Sequence, residues 1–358
     1  MAANLSASQV QIKAEALPEY DALFRRTSGW TGADGDYSVA LNEKVTLWLF
    51  SDTFVGDVED NRRTNATLIN NSVALQHIDN SKPVEFFYNT NAEGKPCALI
   101  TPDDGRGYFW LFAGTHTSRG LYVFLTRVER NDEHPAFPFR TFGMALGHVP
   151  NPTESPSNWR VKQTQVPFCK FTNKGALLFG SATLKDGDYV YIYGFDSFGR
   201  DSSGASTHSM VVARAPEDKL GDFNSWRFLS GGKWIANATR CDRLIDTIPT
   251  ECSVSYIPGI KQFALVYTDG GIFGKIMVRL ADKPQGPWGE PIMVYDCPDK
   301  DWHEQAYSYA SKGHPELSKN PNELIVTYAT NSTKFEDLFN DARLYWPRFV
   351  RLTFERSP

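Results

Sequence analysis

A short apolar strand pattern returns five times along the 358-residue chain, and this repeat constrains the fold more than any other feature. The five segments begin at residues 45, 121, 189, 263 and 324 and read VTLWLF, LYVFL, YVYIY, FALVY and LIVTY. Each follows a turn signal, and another strand candidate precedes each turn, so each segment is half of a predicted hairpin. Third strands follow at residues 72, 142, 210, 275 and 348. The sequence therefore predicts five similar antiparallel units, spaced by about 60 to 75 residues.

Three of the units also carry a tryptophan beyond the third strand, at Trp159, Trp226 and Trp288. We expect these tryptophans to mark a fourth, outer strand. The last unit ends after its third strand, and residues 9–25 could supply the strand that it lacks. A four-stranded unit that repeats with this period is typical of a propeller blade.

We therefore predict an all-β, five-bladed β-propeller of four-stranded antiparallel blades. The whole chain, 1–358, would form this single domain, and residues 1–30 would be the N-terminal segment that closes the ring. A two-sheet sandwich is the alternative fold, but it needs no such period. Short helical turns are expected only at 216–220 and 334–340.

Composition and charge exclude several classes of protein. Aromatic residues make up 13% of the chain, which also has 27 Gly and 21 Pro, a mixture that suits short strands joined by turns. The formal net charge of −5 argues against a nucleic-acid partner. The chain has no apolar run of 18 residues, so no membrane span is expected. We predict a monomer.

The cysteines and the N-terminus bear on the compartment. Five cysteines lack CxxC spacing, which argues against a structural zinc site. Cys241 and Cys252 could form a disulfide, although buried free thiols are favoured. The start, MAANLSASQV, lacks the features of a signal peptide. Either the protein is intracellular or a leader has been removed, and we expect an extracellular or periplasmic location.

The first hairpin, Thr31 to Phe54, carries three carboxylates. Asp34 and Asp36 precede its first strand, and Asp52 follows its second. An antiparallel hairpin brings its open ends together, so these acids should lie on one face. An Asp-Gly-Asp turn and a backbone-bonding Asp52 are the structural alternatives.

In a propeller the inner strands of all blades begin at the same end of the channel, so residues at those starts converge. Glu251 begins an inner strand in TECSVSY, where apolar neighbours favour a proton donor. The predicted catalytic residues are Asp34 or Asp36, Glu251 and Asp52, with Asp104 as an alternative to Asp52. The predicted substrate-binding residues are Trp30, Phe54, Asn71, Trp110, His116, Ser181, Arg240, Asp269, Tyr309 and Glu316.

Acids among aromatic side chains suit a carbohydrate. Aromatic rings stack on the apolar faces of a sugar, and carboxylates accept hydrogen bonds from its hydroxyl groups. Hydrolysis of a glycosidic bond needs two carboxyl groups in different environments, one a proton donor and the other a base or nucleophile. We predict this pair to be the first-hairpin Asp and Glu251.

Several motifs in combination resemble a known group of proteins. They are GWTGADGDYSVALNEKVTLWLFSDTF, INNSVALQ, FGSATLKDGDYVYIYG, ECSVSY with FALVYTDGG, GPWGEP, KGHPELS and YWPRFVRL. Over roughly residues 25 to 355 the chain resembles propeller families of unknown function that are similar to five-bladed glycoside hydrolases, among them arabinanases and fructan hydrolases. The resemblance implies a furanoside-containing, arabinan-like substrate, with catalytic residues at Asp34 or Asp36 and at Glu251. It requires no cofactor, but it implies a possible calcium ion in the channel near His314.

Two other functions are compatible with the sequence. One is a carbohydrate-binding propeller without catalysis. The other is a glycoside phosphorylase, which would need cations to hold phosphate, and Arg240 and Arg243 are the candidates.

Overall fold

The computed structural model describes residues 10–131, 138–199 and 208–356. Within these ranges the chain is mainly antiparallel β-strand, with two short α-helices, α1 (Pro18–Phe24) and α2 (Asp337–Asn340). The first strands are β1 (Val10–Ala16), β2 (Ser28–Ala33), β3 (Tyr37–Ala40), β4 (Val45–Phe50), β5 (Thr53–Glu59), β6 (Arg62–Ile69), β7 (Ser72–His77), β8 (Glu85–Phe87), β9 (Asn89–Thr90) and β10 (Pro96–Cys97). The next are β11 (Tyr108–Thr117), β12 (Gly120–Arg130), β13 (Phe139–Val149), β14 (Lys162–Gln165), β15 (Lys170–Thr172), β16 (Gly175–Asp186), β17 (Tyr189–Asp196), β18 (Ser209–Pro216), β19 (Arg227–Ser230) and β20 (Lys233–Ile235). The last are β21 (Cys252–Ile257), β22 (Gln262–Thr268), β23 (Lys275–Ala281), β24 (Ile292–Asp296), β25 (Ala306–His314), β26 (Glu323–Ser332) and β27 (Arg348–Arg356). Short 3-10 helices lie at Pro156–Asn158, Glu217–Lys219, Phe223–Ser225, Ala238–Arg240, Pro298–Asp301 and Pro315–Leu317.

The repeated units form separate antiparallel sheets. Their strand orders are β3-β4-β7-β8, β11-β12-β13-β14, β15-β16-β17-β18-β19-β20, β21-β22-β23-β24 and β25-β26-β27-β1. The predicted second and third strands of all five units are confirmed. The prediction of four strands in every unit is wrong for the third sheet, which has six. A further sheet, β2-β5-β6, and the short pair β9-β10 were not predicted.

The inner strands of these sheets contact one another in sequence. β3 contacts β11, β11 contacts β16, β16 contacts β21, and β21 contacts β25, which in turn contacts β3. Residues that begin different inner strands are thereby brought close together.

The strands are apolar on both faces because each sheet packs between two neighbours. In β4, Leu47 and Leu49 belong to the core shared with the second and third sheets. Trp48 and Phe50 of the same strand point to the other side, into a cluster beneath α1. All four side chains are fully buried. This double burial explains the continuous apolar runs in the sequence.

The N-terminal segment forms the outermost strand of the last sheet. β1 pairs antiparallel with β27 along its whole length, from Val10 opposite Arg356 to Ala16 opposite Val350. The helix α1 that follows was not predicted. Phe24, its last residue, is fully buried and packs against Phe349 with the ring centroids 5.3 Å apart.

The prediction that three tryptophans mark the outer strands is corrected by the structure. Trp159, Trp226 and Trp288 lie before β14, β19 and β24 rather than within them. Trp226 shows the reason, since its indole Nε1 donates to the carbonyl of Leu220 and holds the turn that leads into the strand.

Two further features of the described chain concern its cysteines and its helices. All five cysteines are free thiols, as the sequence favoured. In the described parts of the chain, no helix has both the length and the apolar character to span a membrane.

Candidate active site

Four carboxylates line one cavity of about 1320 Å³: Asp34, Asp52 and Glu251, which the sequence predicted, and Glu336. Asp34 lies between β2 and β3, Asp52 lies between β4 and β5, and Glu251 directly precedes β21. The hairpin formed by β3 and β4 brings the first two together, and the packing of the inner strands adds the third. The convergence expected from the repeat is therefore present for these residues.

Asp34 is held firmly but keeps one oxygen free. Its backbone N–H donates to the carbonyl of Asp52 at 3.2 Å, and its own carbonyl accepts from Ser51 N–H at 2.9 Å. The Tyr309 hydroxyl donates to Asp34 Oδ2 at 2.5 Å. Asp34 Oδ1 is buried and has no hydrogen-bond partner among the described residues. Its capacity to accept a hydrogen bond is therefore unused within the described protein.

The protonation of Asp34 and Asp52 is linked. Burial, followed by the charges of Asp52 and Glu251, raises the pKa of Asp34 to about 7, against hydrogen bonds from Tyr309 and Tyr345. Burial raises the pKa of Asp52 to about 6, against hydrogen bonds from Trp110 and Asn70. Those bonds reach Asp52 Oδ1 from Trp110 Nε1 at 2.9 Å and from Asn70 Nδ2 at 3.2 Å. Both groups therefore titrate near neutral pH, where acid and base catalysts are most effective.

Glu251 has a cationic neighbour that the sequence did not suggest. Lys312 Nζ donates to Glu251 Oε1 at 2.8 Å. The lysine side chain is 1% exposed, whereas that of Glu251 is 21% exposed and faces the cavity. The expectation of purely apolar neighbours around Glu251 was therefore wrong.

Aromatic side chains form much of the cavity wall. Trp110 and Tyr309 line it as predicted, together with Phe195 and Tyr307. The rings of Tyr307 and Tyr309 lie 5.4 Å apart beside Asp34. These flat surfaces flank the carboxylates and suit the apolar faces of sugar rings.

The structure distinguishes between the two aspartates of the first loop. Asp34 lines the cavity, whereas Asp36 is fully buried. Neither oxygen of Asp36 has a hydrogen-bond partner among the described residues. Burial raises the pKa of Asp36 well above its usual value, against the charge of Lys312. Asp36 is therefore placed for an internal role rather than for contact with a substrate.

Several predicted binding residues are core residues. Trp30 and Phe54 are 2% and 0% exposed, and their rings pack against Phe86 and Tyr345, respectively. Asn71 is fully buried because it bonds backbone groups, donating to the carbonyl of Ile100 at 2.8 Å and accepting from its N–H at 2.9 Å. These residues belong to the core and do not line the cavity, so their assignment to substrate contact is wrong.

Three other predicted residues also lie away from the cavity. Ser181 is buried within β16. Arg240 is exposed at the end of a 3-10 helix, and Asp269 forms a turn in which its carbonyl accepts from Phe273 N–H at 3.1 Å. The alternative third carboxylate, Asp104, is paired with Arg127 at 2.7 Å on the surface.

His116, His314 and Glu316 line a second cavity of about 300 Å³. The ring nitrogens of His314 are both engaged, Nδ1 with Ser38 Oγ at 2.6 Å and Nε2 with Thr327 Oγ1 at 2.7 Å. Burial lowers the pKa of His314 to about 3, so the ring is neutral at pH 7. With both ring nitrogens engaged, His314 is not free to ligate a metal directly. The described residues contain no group of three or more potential metal-binding side chains, and a water-bound calcium ion stays a prediction.

Sequence reasoning missed Lys312, Tyr345 and Asn70. Asn70 and Tyr345 lie within quoted motifs, INNSVALQ and YWPRFVRL, but nothing in those motifs shows which way a side chain points. Lys312 had a usable signal, because a lysine within YSYASKGH interrupts a strand otherwise composed of small and aromatic residues.

The raised pKa of Asp34 predicts an effect on stability. The carboxyl group binds its proton more tightly in the folded protein, so folding stability falls as the pH rises from about 4 to about 7. Asp34→Asn removes this dependence, and we expect the variant to melt a few degrees above the wild type at pH 8 but not at pH 4. Thermal unfolding at both pH values measures the difference. Equal melting temperatures at pH 8 would contradict the strained environment of Asp34.

Comparison with solved structures identifies proteins of similar fold. A "putative hydrolase" from Bacteroides ovatus superposes with a TM-score of 0.74 at 19% identity, over 98% of this chain and 92% of that one. A GH43_1 enzyme from Xanthomonas citri complexed with xylotriose gives a TM-score of 0.49 at 11% identity, over 94% and 92%. A levansucrase mutant from Bacillus subtilis gives a TM-score of 0.48 at 12% identity, over 93% and 87%.

Two sequence comparisons complete this picture. No curated protein matches the chain. A family model, described as a domain of unknown function (DUF5005), matches residues 18–354. Because that match spans nearly the whole described fold, the chain belongs to the DUF5005 family.

Proposed function

We propose that this chain is a glycoside hydrolase that cleaves furanoside-containing, arabinan-like poly- or oligosaccharides. The observation that carries the proposal is the convergence of Asp34, Asp52 and Glu251, far apart in sequence, in one cavity with aromatic walls. Two carboxyl groups in unlike surroundings are what glycosidic hydrolysis requires.

In this proposal Asp34 is the base or nucleophile. Its Oδ1 is buried without a partner, while Tyr309 orients the carboxylate through Oδ2. A group with a pKa near 7 accepts a proton readily at neutral pH. Asp52 is the third carboxylate, and its charge adjusts the affinity of Asp34 for protons.

Glu251 is the proton donor to the leaving oxygen. It comes from a different sheet and has a solvent-facing side chain, so it can exchange protons with water. Its ion pair with Lys312 fixes the direction of the carboxyl group.

The proposed fold is a five-bladed propeller whose N-terminal segment closes the ring. The cyclic order of contacts between β3, β11, β16, β21 and β25 supports five blades around one axis. The pairing of β1 with β27 supports closure of the last blade by the N-terminus. We also propose that the protein is a monomer, in which residues of a single chain line the cavity.

The size of the cavity supports a chain-like substrate. Its volume of about 1320 Å³ exceeds the roughly 300 to 1,000 Å³ of typical small-molecule pockets. Several sugar units fit such a space. A polymeric substrate also agrees with an extracellular or periplasmic location.

A phosphorylase receives no support from the predicted cations. Arg243 pairs with Asp196 at 2.9 Å, and neither Arg240 nor Arg243 lines the cavity. Lys174, His208 and Lys334 do line the cavity, so a phosphorylase stays an alternative beside a carbohydrate-binding protein without catalysis. Activity assays with and without inorganic phosphate separate both alternatives from a hydrolase.

The experiment is the release of reducing ends from a panel of arabinans, fructans, arabinogalactans and mannans. We expect release from an arabinan or another furanoside-containing glycan. Binding of such a glycan without release of reducing ends would favour the non-catalytic alternative, and release only from mannan would contradict the proposed substrate class.

Trp110 provides a test of the role of Asp52. Trp110→Phe keeps a ring in the wall but removes one of two hydrogen bonds that hold down the pKa of Asp52. We expect that pKa to rise above about 6, so the acid limb of the pH–rate profile moves to higher pH. Trp234→Phe, in the outer strand β20, is the matched control and should leave the limb in place. An acid limb at the same pH in Trp110→Phe and in the wild type would contradict a role for Asp52 in the reaction.

A further inference from the structure

Lys312 is a buried cation placed by a distortion in the inner strand β25. The register with β26 shifts between Tyr309 and Lys312, and Ala310 adopts a φ of 60° at this bulge. Bulges of this kind redirect side chains next to functional sites. Here Tyr309 faces the large cavity and contacts Asp34, whereas Lys312 lines the second cavity. The side chain of Lys312 thus lies between the two cavities.

The contacts of Lys312 are specific and almost dry. Its Nζ donates to Glu251 Oε1 at 2.8 Å and to the carbonyl of Ala310 at 2.7 Å, and it lies 4.4 Å from the centre of the Tyr37 ring. Lysines are almost never fully buried unless they are paired. A 1% exposed lysine at this position therefore indicates a defined role for its charge.

This pairing poses a problem for the proposed donor. A buried ammonium group stabilises the ionised form of the carboxylate that it contacts, whereas a proton donor must be protonated during turnover. If Glu251 takes up a proton, Lys312 loses its counter-charge in a nearly dry position. Such an uncompensated buried charge is strongly destabilising.

Asp36 is the candidate for the missing counter-charge, because the charge of Lys312 acts on its carboxyl group. It directly precedes Tyr37, over whose ring Lys312 lies, and it is fully buried with both oxygens unpartnered. Its φ of 50° is unusual for a residue other than glycine. A buried polar group without a partner needs an explanation, and a carboxyl that is needed in only one stage of a cycle provides one.

We propose that Lys312 is a positioning residue shared by two carboxyl groups, pairing with Glu251 in the free enzyme and with Asp36 when Glu251 is protonated. The inference rests on the proposed function. Lys312, Glu251 and Asp36, here called the trio, hold one carboxyl proton between them. When Asp36 carries this proton, Glu251 is ionised, and when Glu251 carries it, Asp36 is ionised. The exchange transfers that proton from one carboxyl group to the other, so no proton is gained or lost. The net charge of the trio is zero in both states.

Other ionisable groups face this trio. The charges of Asp34 and Glu251 raise the pKa of Asp36, and the charge of Lys312 lowers it. Cys252 and Tyr37 are neutral, since burial raises the pKa of the Cys252 thiol and the pKa of the Tyr37 phenol. His314 is also neutral, since burial and the charge of Lys312 both lower its pKa. The three members of the trio and Asp34 are therefore the charges that matter near neutral pH.

The test compares pH–rate profiles of the full chain carrying Lys312→Met or Asp36→Asn, using the glycan that the wild type cleaves. Lys312→Met removes the cation, so the proton donor keeps its proton longer and the alkaline limb moves to higher pH. Asp36→Asn suits the positive φ and leaves Lys312 with Glu251 alone, so the alkaline limb moves to lower pH and kcat falls with little change in KM. We expect each shift to be about one pH unit. Lys185→Met, a more exposed lysine that pairs with Glu217 beside the second cavity, is the control and should leave the profile unchanged.

A purely structural Lys312 would not give opposite shifts. Shifts in the same direction, or none, would overturn the proposal. Asp36→Asn decides the question by itself if Lys312→Met does not fold, because an unchanged limb in that variant contradicts the shared partner.

A second measurement separates this proposal from the proposed function. If the wild type cleaves no glycan, the effect of Lys312→Met on thermal unfolding is measured in two backgrounds. One is the wild type, and the other is the double variant that carries both Asp36→Asn and Glu251→Gln. The trio predicts a smaller loss of melting temperature in the double background, where no carboxylate remains to be left unpaired. Equal losses in the two backgrounds would overturn the trio itself.

Discussion

Glu251→Gln is expected to lose at least about a thousandfold in kcat on a natural glycan, within the range that general acid catalysis supplies. Glutamine cannot give a proton to the leaving oxygen. The same variant should cleave an aryl glycoside with a dinitrophenyl leaving group at a rate much closer to wild type, because that leaving group departs without a proton. Steady-state kinetics on both substrates measures the contrast.

Glu316→Gln is the matched control for this variant. It makes the same chemical change at a carboxyl group in the second cavity. We expect it to retain activity on both substrates. Full activity of Glu251→Gln on the natural glycan would remove Glu251 from the mechanism, and equal losses on both substrates would assign it another role.

Glu251→Gln should also be less stable than the wild type, by about 1 to 3 kcal/mol, because buried Lys312 exchanges a carboxylate partner for an amide oxygen. From the sequence alone, the melting temperature would be expected to remain nearly unchanged. Chemical denaturation therefore needs to accompany the kinetics, so that loss of fold is not mistaken for loss of chemistry.

Asp34→Asn is expected to lose about a hundredfold to ten-thousandfold in kcat on both the natural glycan and the dinitrophenyl glycoside. A good leaving group does not replace a missing base or nucleophile. The amide still accepts the Tyr309 hydrogen bond at its oxygen, so the geometry of the loop should be kept. Kinetics on the two substrates thus separates Asp34 from Glu251.

Asp104→Asn is the control for Asp34→Asn. Asp104 pairs with Arg127 at the surface and does not line the cavity. Activity at the wild-type level is expected from this variant. If Asp34→Asn were equally active, the catalytic aspartate would have to be sought elsewhere.

The strands could be predicted from the sequence because burial on both faces leaves continuous apolar runs. VTLWLF became β4 with its predicted boundaries, and the period placed the other strands. The same reasoning indicated Asp34 or Asp36, and Glu251, since inner strands of neighbouring units begin at the same end. Their meeting in one cavity follows from the contacts between inner strands.

Side-chain direction was the part that the sequence could not supply. Asp34 and Asp36 are two residues apart, and only the turn between them, with Gly35 at φ 89°, decides which one faces the cavity. Trp30 and Phe54 suit a sugar as well as a core, and the unpredicted sheet β2-β5-β6 buries both. The bulge at Ala310 likewise could not be read from composition, so Lys312 was overlooked.

The most direct measurement is the release of reducing ends from one cleaved glycan by the wild type, Asp34→Asn, Glu251→Gln and Asp104→Asn, each purified in the same way. The account predicts release by the wild type and Asp104→Asn, with release by the other two reduced at least about a hundredfold. Release at equal rates by all four proteins would contradict it, and so would binding of the glycan by all four without release.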